Sequence, residues 1–434
     1  MRIALALGAL VALAAPLAAQ DTVGVRDGIR IGITYDPGER PGLVVLPGLG
    51  IDSARAIMRR DLDYSDRFEM IAVGPASGTA SGTVNYDLYR RLGAVLAVEL
   101  VPRTGGFAAR LHDIRLGRVR NEGMVVLPES HGADYRMAVH RSADDVVRWA
   151  TGTPGIAATR FLFGVEQRIY RIDSDGWGVT PVTGSGESAL SPSWSPSGDR
   201  FAYSRLGDRS WPIIIARPEA GAPGAVPLAG ADRGQNITPV FSPNGRTVAY
   251  ARMDGEGTDI FKADAGAACC AQRLTAGRFA DNLSPAFAPD GNRVAFASTR
   301  SGPPQIYVMD ADGTEQTLLV PFDYGQTGAS TAPEWSPDGA TVAFQRDVSR
   351  APQIFLYEVV RRRVRQLTSS GRNEDPTWAP DGRHVAFISD RTGRRQIWVV
   401  DTETGRVRQL STPGAARLPA WSPRLGGAAG TRNP

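Results

Sequence analysis

From about residue 160 onward, short apolar strands recur in groups, and in the second strand of each group large and small side chains alternate with a period of two. In 293–298, Val294, Phe296 and Ser298 point one way, and Ala295 and Ala297 the other. Small residues opposite aromatic ones suit sheets stacked face to face. A further run follows each such strand: Gln305-Ile306-Tyr307-Val308-Met309-Asp310, Gln353-Ile354-Phe355-Leu356-Tyr357, Gln396-Ile397-Trp398-Val399-Val400-Asp401. Asp-to-Gly turns such as Asp310-Ala311-Asp312-Gly313 come next, then a last short strand ending in Gln366-Leu367-Thr368 or Gln409-Leu410-Ser411.

These strands belong to one repeated unit. It begins Trp194-Ser195-Pro196-Ser197-Gly198, then Phe241-Ser242-Pro243-Asn244-Gly245, Phe287-Ala288-Pro289-Asp290-Gly291, Trp335-Ser336-Pro337-Asp338-Gly339 and Trp378-Ala379-Pro380-Asp381-Gly382, with a fragment Trp421-Ser422-Pro423. The prolines are 43 to 48 residues apart, a propeller-blade period. Proline ends the first strand, and glycine takes the left-handed position of the turn. The sixth unit stops after its first strand. Its missing pieces precede the first repeat: Arg160-Phe161-Leu162-Phe163-Gly164, then Gln167-Arg168-Ile169-Tyr170-Arg171-Ile172-Asp173, then Thr180 to Thr183. A closed six-bladed propeller uses every fragment and leaves no open sheet edge, unlike the alternative of a non-closing array.

Before residue 153 the repeat is absent. Arg2 and the apolar run 3–17, ending in Leu17-Ala18-Ala19, read as a signal peptide over 1–19. With no cysteine just after the cleavage site, a lipid anchor is not expected, nor is a direct membrane span. Residues 20–152 alternate strands and helices: a strand at Leu43-Val44-Val45-Leu46, a helix over 52–62, a strand over 69–73, a helix over 86–92, and strands over 94–101, 107–116 and 124–127. The last helix, 134–149, places Tyr135, Ala138, Val139, Ser142, Val146 and Trp149 on one face. Thr151-Gly152-Thr153-Pro154-Gly155 reads as the linker into a propeller over 153–434. The fold class is therefore an α/β N-terminal domain followed by an all-β six-bladed propeller, closed by pairing of the C-terminal strand with the propeller's N-terminal strands.

Composition adds little. Charge is near balance at +4, with one dense cluster, Arg361-Arg362-Arg363-Val364-Arg365. It reads as a solvated turn, since a basic groove with interleaved aromatics is absent and no nucleic-acid partner is indicated. The adjacent Cys269 and Cys270 read as a loop pair, with a redox role as the alternative. His112, His131, His140 and His384 show no metal-ligand spacing, and His384 reads as a solvated turn residue. Asp173-Ser174-Asp175-Gly176 lacks the later positions of a calcium loop and reads as a strand turn. With no Gly-Xaa-Ser-Xaa-Gly elbow, no catalytic residue and no cofactor or metal is expected. The competing class is a secreted propeller enzyme acting on sugars or peptides, with Glu374-Asp375 as an acid and base.

The segments entering the first strands reach the mouth of the central channel. They are polar and varied, which suits docking a protein. A signal peptide, an α/β domain and a Trp-Ser-Pro-Asp-Gly propeller ending Leu418-Pro419-Ala420-Trp421-Ser422-Pro423 together resemble the TolB family, the periplasmic propeller component of the Tol–Pal system of Gram-negative bacteria. The resemblance implies a non-enzymatic adaptor in the periplasm, working with TolQ and TolR, that supports outer-membrane integrity and invagination at division. It implies that Pal, the peptidoglycan-associated lipoprotein, binds the channel mouth. Matching by the first-strand motif gives Gln235, Asn236, Thr238, Asn282, Leu283, Asn373, Glu374 and Arg417. It implies that TolA binds the N-terminal segment, at Gln20, Asp21, Thr22, Val23 and Val25. Those first residues depart from the family pattern, whose likeness resumes at Ile29-Arg30-Ile31-Gly32-Ile33; the tail after Gly426 also overruns the usual end.

Overall fold

A computed structural model describes residues 40–48, 50–74, 84–219, 225–228, 230–231, 233–253, 255–266, 270–277, 279–321, 328–410 and 412–426. They lie in one compact unit, Pro37–Pro434. The expected signal peptide, the expected TolA-binding residues Gln20, Asp21, Thr22, Val23 and Val25, and Cys269 lie outside the described residues. Among the described residues no helix is long and apolar enough to cross a membrane.

The N-terminal part runs β1 (Gly42–Val45), α1 (Asp52–Tyr64), β2 (Glu69–Met70), α2 (Tyr86–Arg91), β3 (Leu96–Arg103), β4 (Gly106–Asp113), β5 (Arg118–Val126) and α3 (Ala133–Thr151). The sheet order is β2-β1-β3-β4-β5, with β1 parallel to both neighbours and the β3–β5 pairs antiparallel. Asn85 starts α2 by accepting from Leu88 N–H at 3.0 Å, and Gly152, at φ +86°, ends α3. The strand expected over 69–73 keeps only two residues, while the one expected over 124–127 starts six residues earlier. Helix α3 is buried beyond the expected face: Met137, His140, Ala143, Asp144 and Val147 are covered too. The sheet covers one side, and His140 and Asp144 meet the segments that follow the helix.

Six four-stranded antiparallel sheets form the propeller. Blade 1 holds Ala189–Trp194, Phe201–Arg205, Ile213–Ala216 and Val226–Pro227; blade 2 holds Gln235–Phe241, Thr247–Met253, Thr258–Asp264 and Gln272–Arg273. Blade 3 holds Asn282–Phe287, Arg293–Ser298, Gln305–Asp310 and Thr317–Leu318; blade 4 holds Ser330–Trp335, Thr341–Val348, Ala351–Glu358 and Arg363–Gln366. Blade 5 holds Asn373–Trp378, His384–Ser389, Gln396–Asp401 and Val407–Leu410. Blade 6 joins the late strand Ala416–Trp421 to Arg160–Val165, Arg168–Asp173 and Thr180–Pro181. The turn glycines Gly198, Gly245, Gly291, Gly339 and Gly382 sit at φ +68° to +72° and +75°, the conformation the Pro-Asp-Gly signal requires.

The α/β part covers the face of the propeller that carries these turns, at blades 5 and 6. Two points of contact join them, and the first overturns a sequence expectation. His384 is 0% exposed, not a solvated turn residue. Its ring nitrogens lie 2.7 Å from Asp381 and 3.2 Å from Asp66, and Asp66 precedes β2. Burial alone would lower the His384 pKa, but the Asp381 and Asp66 carboxylates override it and raise it to about 9. Arg383 donates to the Asp66 carbonyl at 3.2 Å, and Arg406 pairs with the Asp66 carboxylate at 2.7 Å. At the second point, the turn 173–176 is an ordinary turn, closed by Gly176 N–H to Asp173 O at 2.8 Å. Its Asp175, however, is a buried plug: Arg60 of α1 and Arg136 of α3 both pair with its carboxylate. Arg136 also stacks on Trp177, 4.8 Å from the ring centre.

The linker is tied rather than loose. The Asp144 carboxylate accepts from Ala157 N–H at 2.7 Å and Ala158 N–H at 3.0 Å, and Arg424 donates to Gly155 O at 2.9 Å. Burial raises the Asp144 pKa to about 7 against those two bonds.

Candidate functional site

The opposite face is built by the starts of the first strands, the turns between second and third strands, and the crossings from one blade to the next. The same side-chain pin recurs there. An arginine near the end of the second strand turns back over the aromatics of its own blade. Arg391 lies 5.2 Å from Phe387 and 4.6 Å from Trp398, and donates to Asn373 Oδ1 at 2.9 Å. Arg300 does the same with Phe296, Tyr307 and Asn282 Oδ1. Arg252 does so with Tyr250, Phe261 and Asn236 Oδ1; in blade 4, Arg346 reaches Ser330 Oγ at 3.0 Å. A guanidinium desolvated over rings needs an acceptor, and the buried amide supplies it.

The pin explains three residues matched to the family's Pal-binding positions. Asn236, Asn282 and Asn373 are fully buried, and their amide N–H groups are spent on the preceding blade or the crossing from it. Gln235 and Arg417 are exposed, and Thr238, Leu283 and Glu374 are partly exposed. Glu374 is held between Arg372 at 3.3 Å and Arg395 at 3.1 Å. The rim thus brings five of the eight residues to the surface and withdraws three. Sequence gave no sign of the split, although an asparagine 16 or 18 residues before an arginine in three blades was visible in principle.

Inside the rim a cavity of about 350 Å³ runs along the inner strands. Its wall repeats one unusual step per blade. Ser191, Thr238, Ser284, Ala332, Asp375 and Leu418 have φ between +47° and +54°, and each precedes a proline, Pro192 to Pro419. Each sits where the pairing of first and second strands slips. A proline cannot donate to the ladder, so a bulge with a left-handed residue carries the strand past it. Such residues are strained by roughly 1–3 kcal/mol each, and their surroundings must hold them in place.

Two carboxylates face the cavity, Glu334 and Asp375, and no arginine or lysine lines it among the described residues. Burial raises Glu334 to about 7, although Trp378 N–H at 3.0 Å and the Thr377 hydroxyl at 3.1 Å donate to it. Burial and neighbouring Glu374 raise Asp375 to about 6, against the Leu418 N–H bond at 3.3 Å. Glu374 and Asp375, the pair the enzymatic alternative would use, are directed apart: one is clamped at the rim and the other lines the channel. Cys270 is disulfide-bonded and lies away from the cavity lining.

Residues 148–325 and 324–428 match the family model of the TolB beta propeller domain. The chain is 33% identical over 281 residues to the Tol-Pal system protein TolB of Anaeromyxobacter dehalogenans strain 2CP-C, covering 59% of this chain and 60% of that protein. Its counterpart in strain 2CP-1 is 34% identical over 306 residues, 64% of this chain and 65% of that one. The match therefore spans a little under two thirds of these relatives. The crystal structure of TolB from Acinetobacter baumannii superposes with a TM-score of 0.76, at 22% identity, over 89% of this chain and 98% of that chain. That likeness concerns the fold.

Proposed function

Since the chain belongs to the TolB β-propeller family, we propose that it is a non-enzymatic adaptor of the Tol–Pal system. It works in the periplasm, docking Pal on the open propeller face and TolA through the segment 20–33, with TolQ and TolR in the same assembly. Its role is to support outer-membrane integrity and invagination during division. The observation that carries this reading is the division of the two faces. One face is covered by the α/β part through His384 and Asp175. The other is an open, rigid rim around a narrow channel, pinned blade by blade.

Such a rim suits recognition: the scaffold is preorganised, so little ordering remains to be done on binding. The accessible members of the matched set, Gln235, Thr238, Leu283, Glu374 and Arg417, are the proposed Pal contacts. Purified protein titrated with the Pal domain and with the TolA C-terminal domain from the same genome tests the reading. Saturable binding of both is expected, with deletion of 20–27 weakening TolA alone. Failure of Pal to bind, or turnover of a glycosidase or peptidase substrate, would overturn it.

A further inference from the structure

The open face is not uniform around its ring. Its exposed large hydrophobic side chains gather on blades 2 to 4. Phe279 is 84% exposed, Met253 44% and Val348 36%. Phe279 stands in the crossing from blade 2 to blade 3, at the tip of a turn closed by Ala280 N–H to Gly277 O at 3.5 Å. Its own φ is +65°. Met253 pairs with Thr258, which bridges to Asp281, two residues beyond Phe279. Behind the turn, a Cβ on Gly257 would lie only 2.9 Å from Ala280 O, so the neighbouring hairpin presses against it. Ala280 thus packs closely on the neighbouring hairpin while the Phe279 ring projects into solvent. A large aromatic residue in left-handed backbone combines strain with exposed apolar area. A partner that covers the ring would bury that apolar area.

The other arc of the face is basic. Arg350, Arg372, Arg394 and Arg417 are exposed, and Arg395 is partly so, in the loops and strand starts of blades 4 to 6. Partly exposed Arg168 and Arg391 join them, and Glu166, Glu187, Asp347, Glu374 and Asp390 lie among them, which leaves an excess of two positive charges. Glu374 is already shared by two of the arginines.

We infer that the partner docks across the channel mouth, with Phe279 as its anchor in an apolar pocket and an acidic surface over the arginines of blades 4 to 6. The inference rests on the proposed function and adds the chemistry of the partner's face: a folded domain whose acidic surface borders an aliphatic pocket. Aromatic anchors that become fully desolvated dominate binding energy, while rim charges govern encounter rate and salt dependence.

Calorimetric titration with the purified Pal domain from the same genome tests it. Phe279→Ala is expected to weaken Kd by about tenfold or more, with the thermal midpoint unchanged. Phe279→Asn, which tolerates the left-handed turn, should weaken it equally. The double variant Arg372→Gln, Arg417→Gln should weaken binding at low salt and flatten the dependence of Kd on sodium chloride. Wild-type binding with an unchanged Kd in both Phe279 variants overturns this inference and leaves the proposed function standing. No binding by the wild-type protein overturns both.

Discussion

Trp421 pairs in register with Phe161, and their rings lie 4.4 Å apart, closing the propeller between residues 260 positions apart in the chain. The Trp421 indole N–H also donates to Thr159 Oγ1 at 2.8 Å, and Ser422 Oγ accepts from Arg160 N–H at 2.9 Å. The ring is thus closed by rings and hydrogen bonds together. Trp421→Ala should destabilise by about 3–5 kcal/mol, the range for emptying a buried aromatic site. Urea unfolding followed by fluorescence checks it. A loss below about 1 kcal/mol would mean that the closure carries little of the fold's stability.

Asp175 joins two elements of the α/β part to blade 6. Asp175→Ala leaves Arg60 and Arg136 facing each other without their shared carboxylate. Breaking a buried ion cluster by removing one member typically destabilises by about 3–5 kcal/mol. Asp175→Asn, which keeps an acceptor of the same shape, should cost less. Chemical denaturation of both variants is the check, and limited proteolysis between residues 151 and 160 should speed up in the alanine variant.

The propeller was legible because it is written several times: an error in reading one unit is corrected by the next. Closure was legible because the sixth unit is incomplete and its remainder lies before the first. The α/β elements are legible as well, but their ends are set by tertiary pairing. Beyond Met70 the ladder ends after one further bond, Ile71 N–H to Leu43 O at 2.8 Å, although Ile71 and Val73 remain apolar and pack on the cluster holding Tyr89 and Ile114. What sequence could not show was contact between distant parts. His384 and Asp175 each occupy a turn that every blade has, and nothing local marks those two as buried. Their burial depends on α1, α3 and the residues before β2, which lie more than a hundred residues away for Asp175 from Arg60 and over three hundred for His384 from Asp66. Likewise, the polar residues that looked like one binding set divide into pins and contacts only when the arginines fold over them.

His384 gives stability a pH dependence of definite sign. Its folded pKa, about 9, lies above its ordinary 6.5. The protonated ring is the form that satisfies both Asp381 and Asp66, so its contribution is complete below pH 6.5 and fades as pH rises through 9. His384→Gln should remove that slope. The difference in unfolding free energy between wild type and variant should be largest below about pH 6.5, decline through neutrality and be lost above pH 9. A constant difference across that window would show that the ring's charge does not matter.

Ser284, at φ +51° before Pro285, represents the strained step in the channel wall. Valine cannot adopt that backbone without a steric penalty, whereas glycine can. Ser284→Val should therefore be less stable than Ser284→Gly by at least about 1 kcal/mol, although glycine has the more flexible unfolded chain. Thermal melts of the two variants decide the matter, and equal stability would mean that the bulge relaxes into another conformation.

Asn373 and Glu374 are neighbours with opposite roles, which allows structure and recognition to be separated at one place on the rim. Asn373 is buried, accepting from Arg391 at 2.9 Å and donating to Gln353 Oε1 at 2.7 Å. Asn373→Ala should leave the guanidinium without its acceptor and cost about 1–3 kcal/mol of stability. Glu374 is clamped between exposed Arg372 and partly exposed Arg395, so Glu374→Gln should change stability by less than about 1 kcal/mol. If the rim docks an acidic partner, the glutamine variant should bind it more tightly than wild type, most clearly at low salt, because one negative charge has been removed. Folded Asn373→Ala protein, assayed well below its melting temperature, should bind with nearly wild-type affinity. The reverse pattern, a stable Asn373 variant that cannot bind and a Glu374 variant that unfolds, would exchange the two roles.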